Sequence, residues 1–541
     1  MSISRGFSLL LCTVIWGKSL YTDSYWLKLL HYKNGKSQID DSSFFLSSNG
    51  KISAKDEFEA TLESIKRDNP KDINSTQCLY PARTRWIKKQ LPTEKIEECK
   101  YLKLHLKKLD FKTIYLVYAS SYMNSPASMV GHTFLRFDKN ETTPLLSYAL
   151  NYSAKIDKDT NVLYYAYNGI FGGFEGRYTI APYHEMVKLY SDMEHRDIWE
   201  YKLKLTPKEI ERAVLHMIEI HKYYSLYYFS SENCSYNLLW FLELAKEDLK
   251  LTDKFNYITA PMDTIKELKK YGLIEKSIFR PSKNSKAKSI YKQINNKTLA
   301  KKFLENGNIS IIKELSTQEQ IDIINLYLKN KSRKDILKYR SKLGVGKNRK
   351  VKVPTDPINA NRASKINIGL SSDRELVYGI RASYHDIYDM DYDFNEGSYI
   401  SFFNLQMKDD SIESLDLIEI DSLTHEQELY KQFSWGINLK LKRDKKDALG
   451  INLESKVGKS YKIFNTLLFI EPLLSIDYIE SFDLTIDYYA GLLKRINKVK
   501  FGLLTKQNSI ESFMTYQIKN NIALHLNISK NNNKFELFYY F

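Results

Sequence analysis

The chain has 541 residues, 27% of them charged, and a formal charge of +16. It is too long for one ordinary core, so two or three domains are expected. The lysines are scattered among Asn, Ile and Tyr rather than gathered into a stripe interleaved with stacking aromatics, which reads against a nucleic-acid partner and for a solvated surface or one facing an anionic membrane or cell wall.

Arg5 precedes an apolar run at 7–16, and Gly17 and Ser19 are small residues at cleavage-site positions. Residues 1–19 read as a secretory signal, too short to span a bilayer comfortably. Cys12 would leave with it, and Leu11 is not the small residue a lipid-attachment site wants. Cys78, Cys99 and Cys234 then remain, an odd number for an oxidising compartment. The simplest pairing joins Cys78 to Cys99 and leaves Cys234 free; three unrelated structural thiols are the alternative. The sequence has no paired Cys-x-x-Cys and no His-Glu-x-x-His, so neither a metal nor another cofactor is expected.

Residues 21–105 read as mostly helical, opening with Tyr25, Trp26, Leu27, Leu29 and Leu30 and followed by a polar helix at 56–66. β-rich runs follow at 113–119, 133–137 and 145–152. His132 stands at the head of the second, after a loop holding Ser128 and Gly131. Residues 169–176 form a glycine-rich turn, placed to let backbone approach closely over a cleft, without the strand-to-helix context of a phosphate loop. Thr206, Pro207 and Glu209 start a capped helix with Ile210, Val214, Met217, Ile218 and His221 on one face, which makes His221 a packing or surface residue.

At 231–240 the sequence Ser-Glu-Asn-Cys-Ser-Tyr-Asn-Leu-Leu-Trp runs a polar turn straight into an apolar helix. A thiol at a helix N-terminus feels the positive end of the helix dipole, which favours the thiolate. Cys234 is therefore the leading candidate nucleophile, and His132 the base that such a cysteine needs.

Residues 251–355 read as a Lys-rich helical connector, with Ser316 and Glu319 marking one capped start. From about 360 the period becomes two: Phe433, Trp435, Ile437, Leu439 and Leu441 alternate with small or polar residues, as do Ile522, Leu524, Leu526 and Ile528. About twelve such segments, each long enough to cross a bilayer as a tilted strand, read as a β-barrel over 356–541. A soluble sandwich would alternate similarly. The terminal pair Tyr539 and Phe541, the signal and the 40 tyrosines available for interfacial girdles favour the outer membrane and its lipids.

Three motifs carry a family resemblance: residues 126–136 (Pro-Ala-Ser-Met-Val-Gly-His-Thr-Phe-Leu-Arg), 196–201 (Arg-Asp-Ile-Trp-Glu-Tyr) and 233–236 (Asn-Cys-Ser-Tyr). In this order they resemble the bacterial Lnb-type N-terminal periplasmic domain family, and the C-terminal strands resemble the barrel that follows that domain in some members. His before Cys also resembles circularly permuted papain-like enzymes of the NlpC-like and lecithin retinol acyltransferase-like groups. The fold implied is α+β: a permuted papain-like periplasmic domain over 20–250, the helical connector, and an antiparallel barrel.

The activity implied is thiol chemistry on an amide or ester. Cys234 attacks the carbonyl, His132 takes its proton and returns it to the leaving group, and Asn151 orients the imidazole. Backbone N–H groups at the start of the Cys234 helix are expected to hold the oxyanion, with Asn233, Ser128 and Gly131 as further candidates. Ser128 lacks the Gly-x-Ser-x-Gly surroundings of a serine nucleophile, and salt bridging is the default for Arg136 and Arg177. The expected substrate is an envelope peptide, peptidoglycan amide or lipid ester. The alternatives are a non-catalytic envelope-binding module and a pore with a periplasmic plug.

Overall fold

The computed structural model describes residues 20–541 apart from 122–128, 158, 330, 392–395, 425–432, 444–448, 479–480, 507–508 and 531. The signal at 1–19 and the candidate Ser128 lie outside the described residues.

A helical layer comes first, with α1 (Ser24–Leu29), α2 (Ala54–Arg67) and α3 (Pro81–Gln90). Asp23 and Ser53 cap the first two by accepting first-turn N–H groups. Their apolar faces meet where Trp26 stacks on Trp86 at 5.5 Å and Phe58 meets Trp26 edge-on. Cys78 and Cys99 are disulfide-bonded, the pairing expected, and Cys234 is the free cysteine among the described residues.

A seven-stranded antiparallel sheet follows. Its strands are β1 (Thr113–Ala119), β2 (His132–Asp138), β3 (Tyr148–Ala154), β4 (Phe174–Pro182), β5 (Ile198–Leu203), β6 (Tyr224–Tyr227) and β7 (Ile274–Arg280), in the spatial order β6-β4-β3-β2-β1-β5-β7. The third strand starts later than the expected 145, because Pro144 opens a 3-10 turn over Pro144–Leu146. The glycine-rich segment is not a free turn. Helix α4 (Val162–Phe171) runs through Gly169, Gly172 ends it in the left-handed region at φ +76°, and β4 begins two residues later. Glycine at 169 is set by packing, since a Cβ there would lie 2.1 Å from the Phe229 ring.

Helix α5 (Pro207–Ile220) carries the expected capping box between Thr206 and Glu209. Against it lies α6 (Cys234–Ala245), all twelve residues of which are buried. Buried Arg83 ties the helical layer to α5, pairing with Glu57 at 2.5 Å and Glu219 at 2.9 Å. After α7 (Pro261–Lys270), β7 joins the sheet beside β5, so this unit extends past residue 250. The connector helices α8 (Lys283–Lys292), α9 (Lys297–Asn306), α10 (Thr317–Leu328) and α11 (Lys334–Lys342) bury their own core of Tyr291, Phe303, Ile323, Ile324, Tyr327 and Ile336.

The C-terminal part is a closed antiparallel barrel. Strands β8 (Lys365–Ser371), β9 (Leu376–His385), β10 (Ser398–Lys408), β11 (Ser411–Ser422), β12 (Ser434–Arg443) and β13 (Leu449–Ile463) make the first half. The second half is β14 (Thr466–Tyr478), β15 (Phe482–Ile496), β16 (Val499–Lys506), β17 (Ser509–Lys519), β18 (Ile522–Ser529) and β19 (Lys534–Tyr540). Pairing of β8 with β19, from Lys365 opposite Tyr540 to Ser371 opposite Lys534, closes the ring of twelve. Alternation runs apolar outward and polar inward: Phe535, Leu537 and Tyr539 are 56, 42 and 47% exposed, while Ser434, Asn438 and His525 are buried in the lumen. That is the pattern of a barrel whose outer solvent is lipid.

Sheet unit and barrel are docked. Asp263 of α7 accepts from the Ala363 N–H at 2.9 Å, Glu267 pairs with Arg362 at 2.8 Å, and the Tyr201 hydroxyl donates to Asp356 at 2.7 Å. Met129, just ahead of β2, packs in one cluster with Ile400 and Ile420 of the barrel.

Candidate active site

The three residues proposed for chemistry come from three adjacent elements. Cys234 is the first residue of α6, whose N-cap Asn233 accepts from the Ser235 and Tyr236 N–H groups at 3.1 and 3.3 Å. The apolar run behind Cys234 buries this helix against the sheet, which fixes where its N-terminus points. His132 opens β2, and Asn151 lies on neighbouring β3, opposite Phe134. The His132 Nε2–H donates to Asn151 Oδ1 at 2.6 Å, which leaves the other ring nitrogen to interact with Cys234. This hydrogen bond fixes the tautomer in which the nitrogen facing sulfur is a base.

Burial alone would push the Cys234 thiol up, but the charge and hydrogen bond of His132, the Thr133 backbone and the Tyr227 hydroxyl overcome it and bring it down to about 7. Burial likewise opposes charge on His132. The facing thiolate, its hydrogen bond and that of Asn151 outweigh burial and the nearby Arg196, and leave the imidazole above its ordinary value. Cys234 and His132 thus favour each other's charged form, against the burial that opposes charge on both. Cys234 is 3% exposed.

The first-turn N–H groups are not open to an oxyanion. The Cys234 N–H donates to the Tyr227 hydroxyl at 3.1 Å, and the next two are held by Asn233. Asn233 itself spends its amide N–H groups on the Phe229 and Thr259 carbonyls, so it caps the helix and shapes the turn. Gly131 is required by backbone: at φ +85° a Cβ would stand 2.4 Å from the Tyr118 ring. Arg136 is structural, pairing with Asp138 at 2.8 Å and with Glu200 of the second motif at 2.6 Å, while Arg177 pairs with Glu175. Arg196 of the second motif clamps the Ala119 and Ser120 carbonyls at the end of β1, beside the start of β2.

Sequence reading missed Tyr227 and Tyr190. Tyr227 precedes Cys234 by seven residues, and the Tyr190 ring lies 5.5 Å from that of His132. Tyr227 sits on a four-residue strand and Tyr190 in a π-helical turn, and neither carries a motif. Among the described residues no cluster of His, Cys, Asp or Glu is arranged to hold a metal.

Comparison with known proteins divides the chain in three. Residues 18–90 match a domain of unknown function (DUF7843), residues 100–271 the Lnb N-terminal periplasmic domain, and residues 354–535 another domain of unknown function (DUF7840). No curated protein matches the chain. Among solved structures, a NanC porin in a rhombohedral crystal form aligns at 12% identity and a TM-score of 0.23, covering 33% of this chain and 99% of its own. Cys234, His132 and Asn151 fall inside the second match, so residues 100–271 match an Lnb N-terminal periplasmic domain, and a closed twelve-stranded antiparallel barrel follows in the chain.

Proposed function

We propose that the protein is a cell-envelope thiol enzyme of a Gram-negative bacterium, exported by the signal at its N-terminus and anchored in the outer membrane by its barrel. Cys234 attacks the carbonyl of an amide or ester. His132 takes the thiol proton and passes it to the departing amine or alcohol, and Asn151 holds the imidazole in register. The acyl group on sulfur then goes to water or to a second acceptor. Envelope peptides, peptidoglycan amides and lipid esters are the substrates within reach of a domain docked on a membrane barrel. The observation that carries this reading is the Cys234–His132–Asn151 line with its thiol held near 7; the order, His before Cys, resembles that of permuted papain-like enzymes.

The test is alkylation of the purified full-length protein by iodoacetamide across pH. Labelling at Cys234 should rise through about pH 7. In His132→Ala it should move up toward the ordinary thiol range of about 8.5 or beyond, because burial is then opposed only by the Thr133 backbone and the Tyr227 hydroxyl. Absent labelling, or labelling indifferent to His132, leaves a non-catalytic envelope-binding module.

A further inference from the structure

Attack on a carbonyl needs a donor aimed at the oxygen that becomes negative, yet the first-turn N–H groups of α6 are committed to Tyr227 and Asn233. The barrel supplies another group. Tyr384, near the end of β9, packs against the same Met129–Ile400–Ile420 cluster as Val130, which lies two residues before His132. It lines one small cavity with Tyr118, Val130 and Asp263, and it lies within electrostatic reach of Cys234. Its hydroxyl is buried and has no hydrogen-bond partner among the described residues. An unpaired buried hydroxyl is costly, and in a native fold it marks a place where a partner arrives.

We propose that Tyr384 is a catalytic residue lent by the barrel: its O–H donates to the carbonyl oxygen of the substrate as Cys234 attacks. The C–S bond forms while the carbonyl π pair moves onto that oxygen, which Tyr384 holds by hydrogen bond without giving up its proton. The pair then returns, the bond to the leaving group breaks, and His132 protonates the group that departs. The site is complete only while sheet unit and barrel are docked, which gives the contacts of Asp263 with Ala363 and Glu267 with Arg362 a catalytic consequence. This assignment rests on the thiol chemistry proposed above.

The experiment uses full-length protein in detergent with p-nitrophenyl butyrate as acyl donor, reading nitrophenol release and the acyl adduct on Cys234. Tyr384→Phe should acylate roughly 100-fold more slowly than wild type, the loss typical of one oxyanion donor. Its iodoacetamide reaction, which passes through no oxyanion, should keep the wild-type rate and pH midpoint. If Tyr384→Phe acylates as fast as wild type, or loses alkylation in step with acylation, Tyr384 is not the donor. If wild type forms no adduct on Cys234, the thiol reading falls and this assignment with it.

Discussion

Gly131 shows how one residue type holds the site together. Its left-handed backbone brings the chain over the Tyr118 ring and delivers His132 to the first position of β2. Gly131→Ala adds both the strain of a side chain at φ +85° and a methyl 2.4 Å from that ring. The histidine should then lose its register with Asn151 and Cys234, so the pH midpoint of Cys234 alkylation should rise toward that of His132→Ala. A midpoint that stays put would show that the turn does not position the base. The positions of Cys234 at a helix start, His132 at a strand start and Asn151 on the next strand were legible because each is a local signal. Tyr227 and Tyr384 were not, since each matters only through a contact that the fold creates across a strand or across the domain junction.

At the scale of elements, the helical layer is fastened to α5 by groups that cannot charge. His31 and His216 face each other, Nε2 to Nε2 at 2.9 Å, and His31 stacks on Trp240 of α6. Burial, the facing imidazole and Arg83 hold His31 well below its ordinary value, and burial with Arg83 holds His216 at about 3. In the unfolded chain both would protonate near 6.5, so the unfolded state gains protons first as pH falls. The stability these neutral histidines contribute is complete above about pH 6.5 and drains below it by roughly 1.4 kcal/mol per histidine per pH unit. Thermal unfolding followed by tryptophan fluorescence should therefore show a midpoint clearly lower at pH 5.5 than at pH 7.5, and His216→Gln should flatten that dependence. A midpoint unmoved by pH would mean that the pair is charged or solvated in the folded state. The capping box at Thr206 and the apolar run of α6 were plain in the sequence, whereas the 169–176 segment misled because only Gly172 makes a turn there, at the end of a helix whose Gly169 serves packing against Phe229.

For the whole molecule, about a dozen strands were legible from period-two alternation, because an apolar exterior and a polar lumen impose it on the strands, and closure of the ring sets the number at twelve. What fills the lumen was not. Residues 386–390, between β9 and β10, fold inward: Ile387 joins a cluster with Tyr399, Leu467, Tyr489, Leu493 and Phe513, and the Tyr388 hydroxyl donates to Glu511 at 2.8 Å. Arg381 binds both Asp386 and Asp389, Lys365 pairs with Asp386 at 2.5 Å, and the Tyr540 hydroxyl donates to Asp389 at 2.8 Å. Farther along the lumen Lys456 pairs with Asp421, and Glu454 with Lys440 and Lys506 at 3.4 and 2.6 Å. A short segment of mixed polarity carries no periodic signal, so only closure of the ring around it reveals its place. Among the described residues, such a strap and the paired charges occupy lumen space that a water column would need. The purified protein in planar bilayers should therefore show no stepwise conductance, and Arg381→Ala, which frees Asp386 and Asp389 from their main tether, should produce intermittent openings. Steady, voltage-independent current through the wild type would instead mean that the strap leaves the lumen in the membrane, and the barrel would then have to be read as a pore rather than as the anchor and wall of an active site.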